Sequence, residues 1–313
     1  MLRKIAYRFG TAALTLIGVT ALMFVLIQLA PGSPIADAED GLTPLTESER
    51  IALERMWRLD QPLPTQYLGW LGDLARGDLG NSIRDRRPVS ERIGERLPLT
   101  LILNGSALLV LLLVAVPLGA AAALQPNSRL DRWSATWSYT LYAIPVFWAA
   151  LMLQRLFAVR LGWLPLSGTG SDGLPLIQHL VLPVSCLSYG GVAYVSRFVR
   201  ANLIESTPPE ALRSARARGM TQLSILYRHG FRLAAVPLLT LAGFLIPAMI
   251  AGSVVVESVF QLPGLGTLFL DAAYQRDLPV LLAMTLLSGA ATLAGIAFSD
   301  IAYSLFDPRV RRG

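Results

Sequence analysis

Leu97 to Gln125 reads LPLTLILNGSALLVLLLVAVPLGAAAALQ, with no charged residue in it. An α-helix rises about 1.5 Å per residue, so about 20 apolar residues cross the hydrocarbon core of a bilayer. This run is long enough to cross with residues to spare. Five more stretches pass the same test: Phe9 to Ala30, Trp133 to Gln154, Leu174 to Ser196, Leu233 to Val256 and Leu278 to Ser299. Pro117, Pro145, Pro183 and Pro247 fall inside these runs. Kinks of that kind are tolerated in a bundle, where neighbouring helices satisfy the freed carbonyls. The expected fold is an all-α integral membrane protein with six transmembrane helices.

Composition points the same way. The chain has 313 residues, 53% hydrophobic and only 15% charged. Soluble domains carry about 25% charged residues. With a mean hydropathy of +0.52, a soluble globule would have to expose large apolar patches, and disorder requires the opposite composition. The first apolar run follows Arg3, Lys4 and Arg8, as in a signal peptide. It exceeds the usual 7–15-residue apolar core of such peptides, and Leu29-Ala30-Pro31 makes a poor cleavage site, so a retained helix is expected.

The basic residues orient the spans. With the N-terminus in the cytoplasm, the cytoplasmic segments hold fifteen basic residues, from Arg3 to Arg312, against five acids: Asp131, Glu205, Glu210, Asp300 and Asp307. The segment from Pro31 to Arg96 has nine arginines and twelve acids. Both termini are therefore expected to be cytoplasmic. Topology accounts for the net charge of +6, and no nucleic-acid partner is expected.

Scarce residues exclude several chemistries. Lys4 is the one lysine and lies outside any G-x-x-x-x-G-K-[ST] context, so the chain has no phosphate-binding loop of its own. His179 and His229 are far apart, which excludes H-E-x-x-H, and Cys186 is the one cysteine, which excludes an intrachain disulfide and a cysteine zinc cluster. No metal site is expected. No charge lies deep in a span, which argues against a proton relay. His179 is read as a surface histidine near the outer end of the fourth span, Cys186 as small core filler, and Trp133, Trp137, Trp148 and Trp163 as interface anchors.

Two connecting segments are more than connectors. Residues 31–96 are read as a helical extracytoplasmic segment. Thr46-Glu47-Ser48-Glu49 has the form of a capping box. Tyr67, Trp70, Leu71 and Leu74 make one apolar helical stripe, which Gly77-Asp78-Leu79-Gly80 ends, and Val89 to Arg96 is a further short piece. These helices either lie on the membrane surface or cap the outer mouth of a pathway. On the cytoplasmic side, Thr207-Pro208-Pro209-Glu210 suits a helix start and Gly219 a helix stop. Between them lie Ala211, Arg213, Ser214, Ala215, Arg216, Ala217 and Arg218, a face of small residues and arginines. Either another protein approaches that face closely, its carboxylates pairing with the arginines, or the segment is a basic cytoplasmic loop that is helical.

Several segments together resemble a known family. They are Gly77-Asp78-Leu79-Gly80-Asn81-Ser82 with Pro88-Val89 and Arg96-Leu97-Pro98-Leu99-Thr100-Leu101; Ala143-Ile144-Pro145-Val146-Phe147-Trp148; Gly162-Trp163-Leu164-Pro165; Ala215-Arg216-Ala217-Arg218-Gly219 with Arg228-His229; Val254-Val255-Val256-Glu257-Ser258; Pro263-Gly264-Leu265-Gly266; Gln275-Arg276-Asp277; and Asp307-Pro308-Arg309. In order and spacing they resemble the permease subunits of binding-protein-dependent ABC importers, in the dipeptide, oligopeptide and nickel group. Within the cytoplasmic segment, Arg213-Ser214-Ala215 stands where the general permease motif has Glu-Ala-Ala.

The resemblance implies a transport subunit of the bacterial inner membrane with no ATPase site of its own. It implies a homologous second permease forming a heterodimer, two ATP-binding subunits that carry ATP and Mg, and an extracytoplasmic substrate-binding protein. No cofactor is expected on this chain. Glu210, Ala211, Arg213, Ser214, Ala215, Arg216, Ala217, Arg218 and Gly219 would form the ATPase-coupling helix. The resulting organisation is residues 1–30 as N-terminus and first span, 31–96 as outer loop, 97–306 as a five-span core with coupling loop 200–232, and 307–313 as tail. Asn104, Ser138, Tyr142, Ser185, Tyr189 and Ser253 are polar and lie within spans, so they are candidates to line the pathway, or else they hydrogen-bond between helices. Di- and oligopeptides are the expected cargo, nickel or another metal chelate the alternative. An ATP-independent channel or carrier is the reading of another class.

Overall fold

The structure, a computed structural model, describes residues 2–29, 60–170, 173–205 and 253–306, together with residues 51, 58, 213, 214, 217–221, 224, 243 and 249. Among these the regular structure is helical, apart from one antiparallel pairing of Asn81 with Pro88. The chain divides into two compact units: Met1–Pro98 with Gly264–Leu293, and Leu99–Pro263 with Ala294–Gly313.

In the first unit, α1 (Leu2–Leu29) is a continuous apolar helix. Leu14, Leu22 and Leu29 on it are more than half exposed, as expected of a surface that meets lipid tails. The short α2 (Leu63–Leu74) packs on it. The Tyr67 hydroxyl donates to the Ile17 carbonyl at 2.8 Å and lies 2.9 Å from the Thr20 hydroxyl, while its ring meets Phe24 at 5.5 Å. The stripe of Tyr67 and Trp70 is thus half-buried. The chain then turns through Gly77 and Gly80, at φ values of 81° and 79°, a left-handed conformation that glycine adopts without a Cβ clash. The Asp78 carboxylate accepts from the Gly80 N–H at 2.8 Å and holds this turn.

A buried carboxylate ties the following loop to the start of the last helix. Asp277, fully buried, precedes α9 (Leu278–Phe306). It accepts from the Ser82 hydroxyl, from the Ile83 N–H at 3.1 Å and from Arg92 at 3.0 Å. Arg92 lies on α3 (Val89–Leu124). Expected to be a separate piece, Val89 to Arg96 is instead the first part of α3, continuous with the second apolar run. A proline ring presses on the carbonyl four residues back. For Pro98 that residue is Gly94, and the helix passes through both.

In the second unit the later part of α3 packs on α6 (Leu176–Glu205) through small residues. A Cβ on Gly119 would come within 2.4 Å of the Ser196 carbonyl oxygen, and one on Gly191 within 2.2 Å of Leu111. Backbones meet this closely only where side chains are absent. The core gathers Leu103 and Ala107 of α3, Leu180 and Leu182 of α6, Phe260 and Leu262.

The third apolar run departs from expectation. It is not one helix but α4 (Arg129–Ala143) and α5 (Val146–Leu153), the latter continued by a π-helical turn to Arg160, and the two directions differ by 94°. Pro145 is the cause. Proline biases the preceding residue to extended backbone, and Ile144 has φ −81° and ψ 121°. The Tyr189 hydroxyl of α6 donates to the freed Ile144 carbonyl at 2.5 Å. Gln154 fixes the π-turn by donating to the carbonyls of Leu166 (2.8 Å) and Val259 (3.2 Å). Two short helices, α7 (Val254–Val259) and α8 (Leu265–Tyr274), precede α9.

Among the described residues, α1, α3, α6 and α9 are each long and apolar enough to cross a membrane, and α4 with α5 makes a fifth, bent candidate. The apolar run Leu233 to Val256 lies mostly outside the described residues, as does the capping box at Thr46.

Candidate translocation path and coupling segment

The six polar residues expected along the path fall into different surroundings. Ser138 and Tyr142 on α4 lie together, lining an open cleft of about 260 Å³ with Tyr139, Tyr194 and Arg197. Ser138 is buried and Tyr142 exposed. Ser185 is exposed on α6, its hydroxyl turned back to the Val181 carbonyl at 2.8 Å. The other three hold structure. Asn104 donates to the Met249 carbonyl at 3.1 Å, Tyr189 closes the Ile144 break, and the Ser253 hydroxyl accepts from the Val256 N–H at 3.4 Å as the N-cap of α7.

Beside the cleft lies an ion cluster. Ser128 caps α4 by accepting from the Asp131 N–H. The Asp131 side chain is buried and receives Arg200 through two bonds of 2.5 Å, one to each carboxylate oxygen, and the Asn127 N–H at 2.9 Å. Arg197 approaches the same carboxylate at 3.8 Å and lies 5.7 Å from the centre of the Tyr139 ring. A two-pronged guanidinium–carboxylate pair fixes both partners in orientation, so it fixes how α4 meets α6 at this end.

Of the coupling segment, Arg213, Ser214 and Ala217 are helical, and Gly219 has a φ of 73°. That is the left-handed residue with which many helices stop, as its position in the sequence suggests. Thr221 then accepts from the Ser224 N–H at 3.3 Å, the pattern of a new helix start. Glu210, Ala211, Ala215 and Arg216 lie outside the described residues.

The helical stop at Gly219 sits inside a family match. Residues 115–312 match the family described as the binding-protein-dependent transport system inner membrane component. The chain belongs to this family. It is a transport permease subunit of a multi-pass bacterial inner membrane protein family. It is similar to the oligopeptide transport system permease protein AppB of Bacillus subtilis (strain 168), 38% identical over 94% of this chain and 95% of that protein. A putative peptide permease protein of Brucella suis biovar 1 is 35% identical, and a putative peptide transport system permease protein of Brucella abortus (strain 2308) 37% identical, each over 99% of both chains. These matches extend over α1 and residues 31–96 as well as the rest of the chain.

Three features of this permease were not singled out from its sequence. Asp131 entered the reading as a topological charge, yet it is a buried anchor. Asp277 entered as part of a motif, with no sign of its partners. Burial pushes its carboxyl up from the ordinary range, while Ser82, the Ile83 N–H and Arg92 pull it back. Glu257 is fully buried, with the Thr100 hydroxyl 3.5 Å away. An acid inside the apolar string Val254 to Phe260 was the available signal. His179 was expected at the surface. It is buried, with Nδ1 3.2 Å from the Ser167 carbonyl, because residues 161–168 fold back over that part of α6. Cys186 is core filler as expected, and Trp133, Trp137, Trp148 and Trp163 are exposed.

Proposed function

We propose that this chain is one half of the translocation pathway of an ATP-driven importer of di- and oligopeptides. The observation that carries this reading is similarity over nearly the full length to proteins named as peptide permeases, from α1 through the coupling segment. Six spans cross the membrane with both termini in the cytoplasm, Leu233 to Val256 forming the fifth. A homologous second permease completes the path, two ATP-binding subunits carrying ATP and Mg dock on the cytoplasmic side, and a substrate-binding protein docks outside. The chain itself holds no cofactor. Membership of a binding-protein-dependent family sets aside the stand-alone channel or carrier.

The helix at 208–219, ended by Gly219, lies in a groove on an ATP-binding subunit. Closure of the ATPase pair moves this helix, which acts as a lever on the spans at either end of it. Alternating access follows as rigid-body rocking. Ser138, Tyr142 and Ser185 line the path, while Asn104, Tyr189 and Ser253 hold the helices that form it. The Asp131–Arg200 pair supports the reading, because a lever needs rigid helices to act on.

The test is uptake of a labelled dipeptide into proteoliposomes carrying the complete complex. Arg213→Glu with Gly219→Asp is expected to abolish uptake while the permease remains folded and monodisperse. Normal uptake by that double variant would show that the segment does not dock the ATPase.

A further inference from the structure

The loop between the outer turn at Gly80 and the start of α3 carries Arg84, Asp85, Arg86 and Arg87 in succession. It is held by backbone hydrogen bonds and a bridge. Asn81 pairs with Pro88, the Ser82 N–H donates to the Arg87 carbonyl at 3.0 Å, the Arg86 N–H donates to the Ser82 carbonyl at 3.1 Å, and the Val89 N–H donates to the Gly80 carbonyl at 3.0 Å. Beneath the loop, Asp277 grips Ser82 and the Ile83 N–H. Arg86 itself has a φ of 60°, a left-handed conformation costly for a residue with a Cβ. The hydrogen bonds around it hold that conformation in place.

The charges of this loop divide into two sets. The acids are engaged with arginines at the base: Asp85 meets Arg92 at 3.4 Å, and Glu91 and Glu95 meet Arg87 at 2.7 and 2.5 Å. Arg84 and Arg86 are exposed, and neither makes an ion pair among the described residues. Among the described residues the tip is therefore a pair of exposed guanidinium groups without an ion-pair partner, on a hydrogen-bonded base. A rigid loop loses little conformational freedom when it is docked. Two exposed cations at its tip favour a carboxylate-bearing surface and steer its approach.

We propose that the loop at residues 82–88 is a docking prong for an acidic patch on the extracytoplasmic substrate-binding protein, with Arg84 and Arg86 as its contacts. The inference rests on the importer reading and on the outer placement of residues 31–96. The loop sets how readily the loaded binding protein is captured, and plays no part in ATP hydrolysis or in passage of the cargo.

The test uses the complete importer in lipid nanodiscs, with ATPase activity followed against binding-protein concentration. Charge reversal by Arg84→Glu with Arg86→Glu is expected to raise the half-saturating concentration by about tenfold or more at low salt, since like charges then face each other. The maximal rate and the rate without binding protein stay unchanged. The difference shrinks at about 0.5 M salt, where the screening length falls to a few ångströms. Arg84→Lys with Arg86→Lys restores capture, which a loop that merely needs its shape would not require. A half-saturating concentration within about twofold of the parent's, in a charge-reversed complex of normal maximal rate, overturns the proposal. A second measurement separates this failure from failure of the topology. An Arg84→Cys variant is treated in intact cells with a membrane-impermeant maleimide, Cys186 being buried. Labelling with unchanged capture defeats the docking prong alone. No labelling defeats the outer placement and the prong with it.

Discussion

Asp277 shows most plainly how a single residue holds this permease together. Its side chain is 1% exposed and that of Arg92 12% exposed, so their pairing at 3.0 Å is only slightly screened by water. Removing one partner of a buried pair leaves the other charge stranded, which costs about 3 kcal/mol. Asp277→Ala should therefore lower the thermal midpoint of the purified permease clearly, read by fluorescence-detected size exclusion after heating. Asp277→Ala with Arg92→Met should recover part of the loss, since the stranded charge is removed as well. A double variant no better than the single would place the defect in the lost Ser82 and Ile83 bonds instead. Gly119 gives a second residue-scale prediction. A Cβ there meets backbone, not a mobile side-chain end, so Gly119→Ala forces α3 and α6 apart and costs about 1–3 kcal/mol. A midpoint equal to the parent's would show that the two helices yield without loss.

The elements were legible in the sequence to the extent that apolar length defines them. α1, α3, α6 and α9 fall where uncharged runs of membrane-spanning length stand. The Tyr67–Trp70 stripe forms α2, and Gly77 and Gly219 stop their helices with positive φ as glycines can. Pro145 was one source of error, because the effect of a proline depends on surroundings the sequence does not display. Pro98 stays within α3, whereas Pro145 breaks its span, and the Tyr189 hydroxyl arrives from another helix to satisfy the exposed carbonyl. The polar contacts were the least legible, since Ser82 and Asp277 are 195 positions apart. A further prediction belongs to this scale. Tyr189→Phe removes the donor to Ile144 and leaves that carbonyl short of a partner, a loss of about 1–3 kcal/mol. It should loosen the α4–α5 bend, measured as faster hydrogen exchange over residues 140–150. Unchanged exchange there would mean that Pro145 alone sustains the break.

At the scale of the whole molecule, the proposed topology puts the basic segments around Arg129, Arg197 and Arg213 on one side of the membrane and the loop at 82–88 on the other. An alkaline phosphatase fusion at Gly77 should be active, while one following Gln125 should be inactive. The reverse pattern would invert the topology. The central claim, that this permease works by coupling to separate ATPase subunits, is tested most directly on the complex that co-purifies with a tagged copy of the chain. In nanodiscs its ATP hydrolysis should be low alone and rise when the extracytoplasmic binding protein and a dipeptide mixture are both added. An intact, monodisperse chain that brings down no ATPase, or hydrolysis indifferent to both additions, would contradict it.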